Sequence, residues 1–147
     1  MGSYKKQPFV TGSQSVHGIT EILNRDSNQW NVVADYPFSS SISNYATTST
    51  EESVYIIGGY PTTPIIAEYK NHQWYNAGQL KQSRSNSAAI TFGSLTMVIG
   101  GSGGSRLETE IWKLETLENR IIPPTLTSSH YRDAGVFFVE VGYCKKT

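Results

Sequence analysis

The sequence predicts an all-β fold assembled from repeated units, and three observations predict it. Ser43-Asn44-Tyr45-Ala46 opens a stretch ending Ile56-Ile57-Gly58-Gly59. Ser85-Asn86-Ser87-Ala88 opens a counterpart of equal length, with no gap between the two, ending Val98-Ile99-Gly100-Gly101. Self-similarity at a fixed period is the signature of stacked supersecondary units. Short apolar runs alternate with turn residues in a chain holding nine Tyr, five Phe, three Trp and 13 Gly, a supply that suits strands. No segment sustains the apolar period of a helix, so essentially no helix is expected.

The units are read in chain order within one domain of 147 residues. The first, about residues 8–38, is the faintest. It holds Phe9-Val10-Thr11-Gly12, then Ile19-Thr20-Glu21-Ile22-Leu23, then Trp30, and Asp35-Tyr36-Pro37 leads out of it. The second, about 43–80, offers strands at about 44–49, 53–59, 65–70 and 73–77, with a turn at Asn71-His72. The third, about 85–126, offers strands at about 86–92, 95–101, 109–115 and 119–122. Pro123-Pro124 ends the last of these, because proline cannot donate to a ladder. A terminal strand is expected at about 131–143, with Ala134-Gly135-Val136-Phe137-Phe138-Val139 reading as the first strand of a unit.

The glycine doublets have a physical meaning. Without a Cβ, backbone can turn sharply or lie against neighbouring backbone. Gly58, Gly59, Gly100 and Gly101 are therefore expected to be structural. Tyr69, Trp74 and Trp112, with Trp30 less so, are expected to fill the space between neighbouring sheets.

This pattern resembles the kelch repeat: four apolar residues, a Gly-Gly doublet, then a spaced Tyr and Trp. It is clearest at Val54-Tyr55-Ile56-Ile57-Gly58-Gly59, Tyr69 and Trp74. It persists at Met97-Val98-Ile99-Gly100-Gly101 and Trp112, where Trp112 holds the Tyr position and Ile121 the Trp position. It is weak at Phe9-Val10-Thr11-Gly12, Ile22 and Trp30, where Thr11 replaces the first glycine. The resemblance covers about residues 8–143 and implies four-stranded antiparallel blades of a β-propeller. Only three blades are found, whereas propellers close with about four to eight. The chain begins near a second strand and ends on a first, as in a blade split between termini. It reads as a fragment or shortened relative of a longer propeller, or as half of a six-bladed ring of two copies. The former is favoured, because strand exchange demands matching geometry at both edges.

The totals exclude several function classes. Twelve basic residues balance twelve acidic ones, so bulk charge favours neither nucleic acid nor an anionic membrane. No apolar run approaches membrane-spanning length. Cys144 is the only cysteine, which leans toward a reducing compartment, so the chain is expected to be cytoplasmic. The N-terminus carries no signal-like apolar stretch. The histidines, His17, His72 and His130, lack metal-ligand spacing, so no metal or other cofactor is expected. Gly100-Gly101-Ser102-Gly103-Gly104 fits the nucleophile-elbow pattern, but that elbow needs a following helix, and a strand follows here. Some oxidases built on kelch-like propellers use copper and a cysteine cross-linked to tyrosine. Tyr143-Cys144 is the only such neighbourhood and has no histidine pair nearby.

The expected function is a non-catalytic protein-interaction module whose partner is another protein or peptide. In kelch propellers the connection from one blade's last strand to the next blade's first strand opens on one face. Several substrate-adaptor members read peptides there with Arg, Ser and Asn. The resemblance places Ser43, Asn44, Arg84, Ser85, Asn86, Tyr131 and Arg132 on that rim. Arginine forks suit carboxylates, and Tyr and Arg are frequent interface anchors. The alternatives are a propeller-based enzyme such as a copper oxidase, or a structural remnant that binds nothing.

Overall fold

The computed structural model describes residues 2–12, 18–38, 42–103 and 108–122, and the terminal strand expected at 131–143 lies outside them. Every described element is a strand. They are β1 (Gly2–Tyr4), β2 (Gln7–Thr11), β3 (Ile19–Asn24), β4 (Gln29–Asp35), β5 (Ala46–Ser49), β6 (Val54–Ile57) and β7 (Thr63–Lys70). There follow β8 (Gln73–Ser85), β9 (Ala88–Phe92), β10 (Leu95–Ile99), β11 (Ser102–Gly103), β12 (Thr109–Lys113) and β13 (Asn119–Ile122). They form three antiparallel sheets: β1-β2-β3-β4, then β5-β6-β7-β8-β11, then β9-β10-β12-β13. The strands of the second and third units fall close to where the repeat put them.

Two strands differ from expectation. The place beside β2 is filled by β1, with Gly2 opposite Phe9, so the first unit is completed by the N-terminal hairpin itself. Lys5 and Lys6 make this turn with φ of 47° and 64°. Two left-handed residues give a turn twist that matches paired strands. Lys-Lys carries none of the usual signal for such a turn, and Gly-Ser-Tyr is not apolar, so the hairpin was invisible in the sequence. The second difference is β8, which runs on to Ser85. Its end pairs with β11, Ser85 opposite Ser102 and Arg84 opposite Gly103.

The sheets pack face on face in chain order, with β5 against both β1 and β9. Thr48 Oγ1 bridges β5 to Thr91 Oγ1 of β9 at 3.0 Å. The aromatic seams repeat. Tyr69 of the second sheet meets Phe9 of the first with ring centroids 5.2 Å apart. Trp112 of the third sheet meets Tyr55 of the second, also at 5.2 Å. Tyr69 and Trp112 are buried. Trp74 is half-buried, packs on Phe9 and Tyr36, and donates from Nε1 to Thr20 Oγ1 at 3.1 Å.

Glycine is required at the seams. Gly58 has φ +64°, and a Cβ there would collide with the Arg84 carbonyl oxygen at the entry to the next unit. In the first unit Gly12 has φ +97°, and its Cβ would lie 2.6 Å from the Ile42 carbonyl oxygen. Ile42 and Arg84 hold the same position in successive units, each directly before the Ser-Asn pair that opens the repeat. A glycine at the end of one sheet thus rests on the backbone that opens the next.

Candidate functional site

The two Ser-Asn turns come together at one end of the seams. Asn44 and Asn86 have φ of 52° and 55°, a left-handed conformation that asparagine tolerates better than most residues. The Asn86 backbone N–H donates to the Asn44 carbonyl at 2.7 Å, so the turns of successive units are bonded directly. Ser43 and Tyr60 exchange backbone hydrogen bonds of 3.2 and 2.7 Å. Ser85 and Ser102 pair at the corresponding positions of the next repeat. Asn44 is exposed, Ser43 and Asn86 are partly exposed, and Ser85 is buried. Tyr131 and Arg132 lie outside the described residues.

Arg84 requires a correction. It was expected to project from the rim as a partner anchor, but it is 2% exposed. Its Nη2 donates to Glu110 Oε1 at 2.8 Å. Its Nη1 donates to the carbonyls of Gly100 and Glu108, each at 3.0 Å. Glu110 is fully buried, and its Oε2 accepts from the Lys81 N–H at 2.7 Å and Asn119 Nδ2 at 2.8 Å. The fork that suits a partner's carboxylate is spent on an internal one. It ties the end of β8 to β12, and with them the second sheet to the third. An expected loop residue became buried because β8 continues past the point where it was expected to stop.

Beside the Ser-Asn turns opens a groove of about 140 Å³, lined chiefly by Tyr36, Phe38, Ile42, Tyr60, Pro61 and Ile65. Tyr60 is 61% exposed, among the most exposed large apolar residues of the described chain. Tyr36 is buried at the floor and stacks edge-on with Phe38, centroids 5.5 Å apart. Burial pushes the Tyr36 phenol well above its ordinary range, and the neighbouring Tyr45 adds to this. Burial raises Tyr45 as well, and its hydroxyl donates to the Thr11 carbonyl. The groove is therefore neutral and largely apolar at physiological pH, with Thr62 and Thr63 as its polar lining and the Ser43 backbone bonded to Tyr60 beside it. Sequence reasoning missed it. The available signal was Tyr60-Pro61 directly after the second doublet glycine, where the chain must turn and an aromatic has nothing inside to fill.

Among the described residues no group of three or more His, Cys, Asp or Glu side chains is gathered as a metal site would need. His72 is exposed in the β7–β8 turn and leans on the Tyr4 ring at 6.0 Å. His17, His130 and Cys144 lie outside the described residues. Ser102 sits in β11, paired with Ser85 of β8. No described helix is long and apolar enough to cross a membrane.

No protein-family model matches the sequence, and no curated protein is significantly similar to it. Among solved structures the chain is similar to one described as a novel fungal alcohol oxidase with catalytic diversity among the AA5 family, in complex with copper. The TM-score is 0.63 and the identity 13%, covering 78% of this chain and 27% of that one. The chain thus spans about a quarter of the oxidase's length. At this identity the likeness is one of fold: an all-β array of antiparallel sheets.

Proposed function

We propose that the chain is a non-catalytic protein-interaction module built from kelch-like propeller blades. It holds an extended peptide segment of another protein at the rim formed by Ser43, Asn44 and Asn86. The observation that carries this reading is the exposed Tyr60 over an apolar groove, bordered by turns whose backbones are bonded to one another. Rigid sheets display these loops, an arrangement that favours binding. A groove this size takes one apolar or aromatic side chain, while the asparagine turns offer polar contacts to the flanking peptide backbone. Tyrosine is a frequent anchor at such interfaces.

The test is selection of a random peptide library on the purified chain, followed by titration of an enriched peptide. Tyr60→Ser and Asn44→Ala should each weaken binding at least several-fold, while Lys70→Ala, at the opposite end of β7, should leave it unchanged. Equal weakening by Lys70→Ala, or no effect of Tyr60→Ser, overturns the proposal. A second reading, a copper-dependent oxidase, is favoured by the structural likeness alone. It gains ground if the same preparation binds copper stoichiometrically and oxidises a primary alcohol.

A further inference from the structure

Each internal seam joins two kinds of sheet face. The face turned toward the next unit, here called leading, offers Phe9 in the first sheet and Tyr55 in the second. The face turned toward the preceding unit, here called trailing, offers Tyr69 and Trp74 in the second sheet and Trp112 in the third. Strand register extends this equivalence to the two faces left over. Val10 pairs with Glu21 as Val98 pairs with Glu110. Leu23 pairs with Trp30 as Tyr69 pairs with Trp74. The trailing face of the first sheet therefore carries Glu21, Leu23 and Trp30 at the positions of Glu110, Tyr69 and Trp74.

This face lacks a partner sheet among the described residues. Trp30 is 44% exposed and Val32 64%, on alternate residues of β4 and hence on one side of it. At the other end, the leading face of the third sheet presents Leu95, Met97 and Ile99, all half-buried. Met97 is the repeat counterpart of Tyr55, each standing three residues before the first glycine of its doublet. It thus holds the position that receives an aromatic in both internal seams. Lys113 and Arg120 flank it on the paired strands, opposite in sign to Glu21.

We infer that the trailing face of the first sheet docks on the leading face of the third sheet in a second copy of this chain. Leu23 and Trp30 then rest on Met97, repeating the seams the molecule already contains. The contact is head-to-tail, so each copy uses both faces and two copies close upon themselves. Six sheets fall within the range of about four to eight at which radial arrays close. The occupant is a second copy because this chain carries both halves of the seam, with the apolar positions in matching register.

Light scattering of the full chain at about 100 μM, where a weak pair is populated by mass action, should give twice the 16.3 kDa chain mass. Trp30→Glu and Met97→Glu should each give the single-chain mass with unchanged circular dichroism, while Tyr75→Glu on the second sheet stays paired. Mixing the two variants should restore part of the pair, because one of the two seams is then wild type. A wild type that stays single overturns the inference. So does a mass that grows without limit, or a variant mixture that never pairs.

Discussion

Replacing Arg84 with Met should be among the most damaging single changes in this chain. The substitution keeps much of the aliphatic stem, so little cavity is created. What it removes is the partner of Glu110 Oε1 at 2.8 Å and the donor to the Gly100 and Glu108 carbonyls. Glu110 is 0% exposed, so water cannot take the guanidinium's place. Breaking a buried pair by removing one member costs about 3–5 kcal/mol, since an uncompensated charge is left behind. An exposed pair is worth about 0–1 kcal/mol. Against a total of about 5–15 kcal/mol for a domain, the loss is a large fraction. In urea unfolding followed by tryptophan fluorescence, a loss of about 4 kcal/mol at an m of about 2 kcal/mol/M lowers the midpoint by about 2 M. Replacing both Arg84 and Glu110 with Met should recover most of this, because no lone charge remains. A loss below about 1 kcal/mol in the single variant refutes the reasoning. So does a double variant as damaged as the sum of its singles.

Two further outcomes follow from the seams and the buried phenols. Gly58→Ala and Gly101→Ala should each lose more stability than Gly93→Ala. All three have positive φ, worth about 1–2 kcal/mol of strain for an L-residue, but only the first two would press a Cβ into a neighbouring carbonyl, 2.5 Å from Ser85 O in the case of Gly101. Equal urea midpoints for the three variants contradict the seam. Burial pushes Tyr55 and Tyr69 up to about 12, with the Glu68 carboxylate adding to the rise at Tyr55. The fold favours their neutral form, so this stabilisation is complete below pH about 10, where the unfolded chain begins to ionise, and is lost as pH climbs toward 12. Phenolate absorbance should show a late subset of the nine tyrosines titrating together with loss of circular dichroism. Ionisation of all nine near pH 10 with the fold intact contradicts it.

The fold was largely legible because its grammar is local. Alternating apolar runs and the Gly-Gly doublets mark strand ends directly, and the spacing of Tyr69, Trp74 and Trp112 locates the seams. The candidate site was less legible because its side chains are chosen by tertiary accidents. Arg84 and Asn44 look alike as polar residues at strand junctions. Only the continuation of β8, and the glutamate that β12 of the next sheet supplies at Glu110, decides that one is buried and the other exposed. Asn44 and Asn86 recur because the turn needs residues that accept a left-handed backbone, a requirement that the sequence pattern does not separate from a binding role. The Tyr60 groove needs Tyr36 and Phe38 from the end of the previous unit, a juxtaposition that spacing alone does not announce.

The contact between Gly58 and the Arg84 carbonyl, echoed by Gly12 and Ile42, bears on how such a chain can arise. Each seam is written half in one unit and half in the opening of the next. A duplicated stretch of gene beginning at Ile42 and stopping at Ser83 therefore carries both the carbonyl at its front and the seam glycine Gly58 within it. Tandem copying of that stretch creates a new seam already complementary, with no compensating mutation. Copying from any start point within the period does the same, provided its length is one whole period. Ancestral growth and shrinkage by whole units is thereby the cheap path, and small insertions across a seam are the costly one.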